Sequence, residues 1–332
     1  MKTRIFCLIL IVLGFNTSFS QKINGISFVA SRNKIGQEHV EPIKAVYGNY
    51  VALIPFGFIK KLNHPEISFN SNHQWFGETK KGLKQYASEF RKKHIKIMVK
   101  PQIWVWHGEY TGLIKMHSEE NWKVLEQSYE TFILDYAKVA SEIEADIFCI
   151  GTELGAFVKA RPNYWLEIIK KIRKIYSGKI TYAANWDEFK RVSFWGRLDY
   201  IGIDAYFPIS FKKTPSILDC KRGWKVHRKT IQTVSKGFDK PILFTEFGYK
   251  SANFTAKEPW DSSKKKYVVN LQAQVNATQA LFEEFWNEEW FVGGFLWKWY
   301  QNHPESGGTT NTMFTPQNKP VEKVIQEMYK SH

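Results

Sequence analysis

Cysteine is nearly missing from this sequence, with three in 332 residues. Cys7 falls in an N-terminal apolar run, which leaves Cys149 and Cys220. Export would allow these two to pair, but nothing in their spacing demands it. Cys149 lies inside an apolar strand pattern, where a free thiol behaves as a small hydrophobe. Metal-ligand spacing is missing too: there is no His-Glu-x-x-His and no Cys-x-x-Cys, and the nine histidines are dispersed. No metal and no cofactor is therefore expected. No Gly-x-Gly-x-x-Gly follows the first strand pattern, which argues against a dinucleotide-binding open sheet. There is no linker, low-complexity segment or short-period repeat. After the first twenty residues no stretch is long and apolar enough to span a bilayer. Acidic residues are scarce, with 32 Asp and Glu against 47 Lys and Arg.

What is present is apolar and aromatic. Hydrophobic residues make up 43% and charged residues 24% of the chain, a balance that excludes disorder, collagen and coiled coil. The aromatic share is 16%, with 25 Phe, 15 Tyr and 13 Trp. A basic, aromatic protein suits either nucleic acid or sugar. The N-terminus bears on the choice. Lys2 and Arg4 precede an apolar run from Ile5 to Phe15, and Ser18 and Ser20 form a small-x-small pattern before Gln21. Residues 1–20 read as a secretory signal peptide, so the protein is expected to be secreted or periplasmic. Losing Lys2 and Arg4 with no acid lowers the formal charge from +15 to +13. The denser basic runs, Arg91-Lys92-Lys93, Lys170-Lys171 and Lys264-Lys265-Lys266, lie on or beside expected helices, where a solvated surface is the ordinary reading. With no basic stripe in a nucleic-acid motif, a nucleic-acid partner is not expected.

From residue 21 to 332 short apolar strands alternate with longer helical stretches. Strands are expected at 23–30, 50–58, 94–106 (interrupted by Pro101), 146–152, 179–186, 199–207, 241–247 and 291–300. Helices are expected at 79–93, 119–142, 165–176, 221–235, 271–289 and 321–329. Eight strands, each followed by a mostly helical connection, predict one α/β domain, a single (β/α)8 TIM barrel. Parity sharpens this. In 199–206 Ile201 and Ile203 share one face and Gly202, Asp204 and Tyr206 the other. In 94–104 Ile95, Ile97 and Val99 oppose Lys100, Gln102 and Trp104. The polar sets should face the barrel axis, and they cluster toward the C-terminal strand ends, where barrel enzymes place their sites.

Two strands end on a glutamate: Ile150-Gly151-Thr152-Glu153-Leu154 at the fourth and Phe244-Thr245-Glu246-Phe247-Gly248 at the seventh. A carboxylate beside an apolar strand is costly unless paired or used. Glycosidases need such a pair, one to protonate the leaving oxygen and one to act as nucleophile or as base, with the separation deciding between retention and inversion. Apolar walls and the neighbouring charge should raise the pKa of the acid.

The chain resembles glycoside hydrolase family 113, in a large clan of retaining enzymes whose acid/base follows barrel strand 4 and whose nucleophile follows strand 7. The resemblance rests on Phe148-Cys149-Ile150-Gly151-Thr152-Glu153-Leu154, Thr181-Tyr182-Ala183-Ala184-Asn185-Trp186, Asp199 through Pro208, Lys240 through Tyr249, Gly294-Phe295-Leu296-Trp297-Lys298-Trp299 and the weaker Phe314 through Pro320. It implies a retaining mechanism, β-1,4-mannan or a related oligosaccharide as substrate, Glu153 as acid/base and Glu246 as nucleophile. Many clan members carry Asn immediately before the acid/base. Here that position is Thr152, and Asn185 is the candidate to supply an amide instead.

Sugar rings present flat C–H faces to aromatic walls and hydroxyls to a few polar groups. Trp104, Trp106, Trp186, Tyr206, Trp297 and Trp299 sit at or near C-terminal strand ends, and about half are expected to touch sugar. Trp297 is the expected floor beside the scissile bond. Tyr206 is placed to donate to Glu246. Asp204 is inward and either binds a hydroxyl or pairs with Lys100, itself a candidate sugar ligand. His107 follows the third strand and is a further candidate. Trp122, Trp165, Trp286 and Trp290 are expected between barrel and helices. The reading is an exported mannan hydrolase acting as a monomer. Its rivals are another activity of the clan, such as an exo-mannosidase or glucanase, and a sugar-binding barrel without catalysis.

Overall fold

The computed structural model describes residues 21–261 and 267–332. The expected leader and the Lys264-Lys265-Lys266 run lie outside the described residues. Eleven strands follow in chain order: β1 (Ile23–Phe28), β2 (Tyr50–Leu53), β3 (Phe56–Ile59), β4 (Ser68–Phe69), β5 (Lys96–Val99), β6 (Gln102–Val105), β7 (Ile147–Thr152), β8 (Lys179–Asn185), β9 (Ile201–Asp204), β10 (Ile242–Phe247) and β11 (Phe291–Trp299). The helices are α1 (Gln37–Ala45), α2 (Lys80–Arg91), α3 (Glu119–Glu142), α4 (Gly155–Ala160), α5 (Pro162–Ile175), α6 (Ile217–Phe238), α7 (Leu271–Phe285) and α8 (Pro320–Lys330).

Strands β1, β2, β5, β7, β8, β9, β10 and β11 close into one parallel barrel. The TIM-barrel expectation holds, with one refinement. Two expected strands are each cut by a proline, Pro55 and Pro101, whose rings have no N–H to give to a ladder. Beyond each proline the chain leaves the barrel. β3 and β6 then pair in parallel on the rim, with β4 antiparallel to β3. Helices α1 and α4 have no counterpart among the expected helices.

The barrel interior is plugged toward the N-terminal half of its strands by Ile23, Ala52, Met98, Ile147, Leu243 and Phe295, all buried. The outer core lies between strands and helices and contains Ile97, Val99, Ile201 and Ile203, as strand parity requires. Helix α3 shows how the layers meet. Ser118 caps it, accepting from the Asn121 N–H at 3.2 Å. Trp122, Leu125, Tyr129, Phe132, Ile133 and Tyr136 recur at helical spacing and are buried, each contributing roughly 1.5–3 kcal/mol relative to exposure. Trp122, Trp165, Trp286 and Trp290 all belong to this outer core.

Register aligns the mouth of the barrel. Asn185 of β8 pairs with Asp204 of β9, and Asp204 pairs with Glu246 of β10. Three neighbouring strands thus bring their polar ends to one level above the apolar plug. Among the described residues no helix is long and apolar enough to cross a membrane.

Candidate active site

Glu246, buried on β10, accepts three hydrogen bonds. Tyr206 donates its hydroxyl to Oε2 at 2.7 Å, Gln102 donates Nε2 to Oε1 at 2.9 Å, and the Lys100 ammonium also donates to Oε1. These donors fix the carboxylate and complement its charge. Lys100 is fully buried and reaches Asp204 at 3.1 and 3.3 Å as well. Thr245 donates to Asp204 Oδ1 at 2.7 Å. Burial alone would depress the Lys100 ammonium, but the Asp204 and Glu246 carboxylates outweigh it and hold its pKa above the ordinary lysine value. Burial, reinforced by the charge of Glu246, pushes the Asp204 carboxyl up to about 7, against the pull of Lys100 and Thr245. Of the two roles open to Asp204, the structure shows the ion pair. Lys100 and Asp204 are buried against each other rather than lining an exposed cleft.

Glu153 follows β7 directly and is half-buried. Its φ is 51°, the left-handed region that non-glycine residues seldom adopt, and such residues concentrate at functional sites. The corner is braced on both sides. The Glu153 N–H donates to Ala183 O at 2.8 Å, and the Leu154 N–H donates to the Tyr182 hydroxyl at 2.7 Å. Burial, then the charges of Asp204 and Glu246, raise the Glu153 pKa well above the ordinary glutamate value, with Lys100 opposing. The two strand-end glutamates therefore sit close enough to sense each other, one with three donors and one with a proton it tends to keep.

Asn185 is nearly buried. Its Nδ2 donates to the Tyr110 hydroxyl at 2.5 Å, while its Oδ1 is buried with no partner among the described residues. Trp297 is half-buried on β11 beside the end of β10. There Gly248 is required, because a Cβ would lie 2.5 Å from the Trp297 carbonyl oxygen. Trp104 and Trp106 stand exposed on the rim, at 49% and 60%. Trp106 and the exposed His107 line a cleft of about 640 Å³ with Lys60, Lys61 and Asn63. On another part of the rim Trp186 stacks on Trp260 with centroids 5.0 Å apart.

Trp299, expected at the sugar-facing rim, is instead fully buried in the outer core and packs on His303 at 5.4 Å. Pairing between β1 and β11 is irregular between Ile26 and Phe28, where Phe28 aligns with Trp299. Simple alternation from Trp297 therefore fails. The two tryptophans separate experimentally. Trp299→Ala should cost about 3–5 kcal/mol of stability in urea unfolding, as buried large-to-small changes do. Trp297→Ala should leave stability closer to wild type and raise KM.

The sequence missed four residues that complete the mouth. Gln102 was detectable, sharing parity with Lys100. Tyr110, Glu188 and Trp260 come from loops and carry no periodic signal. Glu188 is buried, accepts from the Tyr182 hydroxyl at 2.8 Å and from the Asn185 N–H at 3.2 Å. Burial pushes its carboxyl up to about 7, although both donors pull downward. A second cleft, of about 580 Å³, is lined by Tyr110, Leu113, Lys159, Asp187, Glu188 and Arg191. Among the described residues no group of three or more His, Cys, Asp or Glu is arranged to hold a metal ion.

Comparison with known proteins follows this geometry. The model of the family described as Glycoside Hydrolase Family 113 matches residues 30–319. No curated protein matches the chain. A family 113 β-mannanase from Alicyclobacillus acidocaldarius, solved in complex with ManMIm, superposes with a TM-score of 0.82 at 24% identity, over 94% of this chain and 98% of that one. Another family 113 β-1,4-mannanase, also solved as a complex, gives 0.81 at 23% identity, over 94% of this chain and 100% of the other. A Faecalibacterium prausnitzii β-glucuronidase gives 0.62 at 12% identity, over 94% of this chain but 49% of its own. These likenesses establish the shared barrel.

Proposed function

The chain belongs to glycoside hydrolase family 113, and we propose that it is an exported retaining hydrolase of β-1,4-mannosidic bonds, acting within mannan-type chains. The observation that carries this reading is the unequal treatment of two glutamates at one barrel mouth. Glu246 receives donors from Tyr206, Gln102 and Lys100. Burial and the neighbouring negative charges hold the Glu153 pKa well above the ordinary glutamate value. A carboxyl whose surroundings favour its protonated form, facing a carboxylate held by three donors, is the division of roles that acid and nucleophile need.

In the first step the Glu153 carboxylic acid gives its proton to the glycosidic oxygen. The Glu246 carboxylate attacks the anomeric carbon, the glycosidic C–O bond breaks, and a glycosyl ester forms. In the second, the Glu153 carboxylate takes a proton from water, whose oxygen attacks the same carbon and releases Glu246. The net anomeric configuration is retained. The unpartnered Asn185 Oδ1 is available to accept from a sugar hydroxyl, with its amide anchored by Tyr110. The substrate assignment is supported by solved family members described as β-1,4-mannanases. Internal cleavage is supported by the spread of aromatics around the mouth, the exposed Trp104 and Trp106 in one part and in another the exposed Trp260 stacked on the half-buried Trp186. Export rests on the leader pattern of residues 1–20.

Digestion of mannan, glucan and xylan by the purified protein, with product sizing, tests the reading. Mannan is expected to be cut to a ladder of oligosaccharides. Release of mannose alone would replace endo action with exo action, and preference for glucan would overturn the substrate.

A further inference from the structure

We propose that Glu188 is a positioning residue: through Tyr182 and the Asn185 backbone it locks the loops after β7 and β8 together, so that the Glu153 carboxyl meets the glycosidic oxygen in one orientation. This rests on the acid/base reading of Glu153.

The connection is a continuous run of hydrogen bonds. The Leu154 N–H donates to the Tyr182 hydroxyl at 2.7 Å, Tyr182 donates onward to Glu188 Oε1 at 2.8 Å, and Oε2 accepts the Asn185 N–H at 3.2 Å. One carboxylate thus ties the residue after Glu153 to the residue proposed to bind a sugar hydroxyl. Tyr182 has little freedom to do otherwise. It is fully buried among Trp165, Phe194 and Trp195. Gly155 closes the other side, where a Cβ would lie 3.2 Å from the Glu188 carboxyl carbon. The Glu153 corner is in the left-handed region, and such backbone persists only when its surroundings over-determine it.

A buried carboxylate is an expensive way to fill space, and apolar replacements of equal volume are commonly as stable. Glu188 does something a Leu could not: it satisfies a backbone N–H at the end of β8 and a tyrosine hydroxyl that serves the loop after β7. Its charge acts on the same acid. Glu153 faces Asp204, Glu246, Lys100, Tyr110 and Glu188, and Glu188 adds to the fields that hold the Glu153 proton. Glu188 itself faces Tyr182 from β8 and Asp187 and Arg191 from its own loop.

The test uses Glu188→Gln and Tyr182→Phe in the purified full chain, on a mannan oligosaccharide and on dinitrophenyl β-mannoside, whose leaving group needs no protonation. Gln keeps one acceptor for Tyr182 but turns its NH2 toward the Asn185 N–H, while Phe leaves the Leu154 N–H without its acceptor. On the oligosaccharide kcat should fall about 10- to 100-fold with KM less affected, as misplacement of a catalytic group requires. Bond cleavage of the dinitrophenyl substrate should fall much less. In Glu188→Gln the alkaline limb of the kcat profile should move to lower pH, because removing a negative charge lets Glu153 release its proton earlier. Unchanged oligosaccharide kcat and an unmoved limb would overturn the proposal. So would equal loss on both substrates, which marks general structural damage. If Glu188→Gln does not fold, Tyr182→Phe decides on the substrate comparison. Glu153→Ala serves as the reference. Full oligosaccharide activity in that variant would overturn the acid/base reading itself, whereas an inactive Glu153→Ala beside a normal Glu188→Gln would remove the role of Glu188 alone.

Discussion

Glu246→Ala is expected to lose about 10⁴- to 10⁶-fold in kcat on mannan oligosaccharides, the scale seen when a covalent nucleophile is removed. The fold should survive, since the truncation removes a side chain at the barrel mouth rather than from the apolar plug. Added azide distinguishes the two glutamates. In Glu246→Ala a small anion can enter the face that the carboxylate vacated, attack the anomeric carbon of an activated β-mannoside and yield the α-azide. In Glu153→Ala the glycosyl ester on Glu246 still forms from an activated substrate, and azide then replaces water in the second step to give the β-azide. Product configuration read by NMR therefore assigns each role. An α-azide from Glu153→Ala, or undiminished oligosaccharide cleavage by either variant, would sink the two-glutamate mechanism. Tyr206→Phe should act in the same direction by a smaller amount, because Lys100 and Gln102 still hold the other carboxylate oxygen.

The second large effect is on stability. Lys100→Met places an apolar chain of similar length where a fully buried ammonium bridges two carboxylates. Removing one partner of a buried ionic cluster leaves uncompensated charge and typically costs about 3–5 kcal/mol. The pH dependence carries a definite sign. Asp204 titrates near 7 in the folded protein, while an unfolded Asp titrates near 4, at about 3.9. Between these values the folded state holds a proton that the unfolded chain has released. The stability associated with this group is therefore full below about pH 4 and is lost as pH rises toward 7. Without Lys100 the Asp204 carboxyl should be pushed higher still, so the decline becomes larger and extends to more alkaline pH. Urea unfolding at pH 5 and pH 8 checks this: the variant should approach wild type at pH 5 and fall well short at pH 8. Equal losses at both values would mean that packing rather than charge accounts for the role of Lys100.

Much of this molecule is legible in one dimension. The strand before Glu153 and the strand containing Glu246 are apolar runs bounded by glycine, and helix α3 was anticipated at Glu119–Glu142 with its observed ends. Local rules suffice where burial repeats at a fixed period. They fail where the chain leaves that period. The prolines at 55 and 101 turn two strands out to the rim, and in the sequence only Pro101 reads as an interruption. Trp299 shows the same failure at one residue: alternation from Trp297 predicts a rim position, and an irregular register between β1 and β11 places the ring in the core.

By itself the sequence determined the barrel, the two strand-end glutamates and the family to which the motifs point, because periodic burial and short motifs are properties of neighbouring residues. Only the tertiary structure decided what surrounds each glutamate. Lys100 meets Asp204 across 104 residues and Glu246 across 146, and Glu188, which follows β8, reaches the Glu153 corner after β7 through Tyr182 and against Gly155. Those distances along the chain vanish when eight strands close into a ring, and the electrostatic difference between the acid and the nucleophile arises only there.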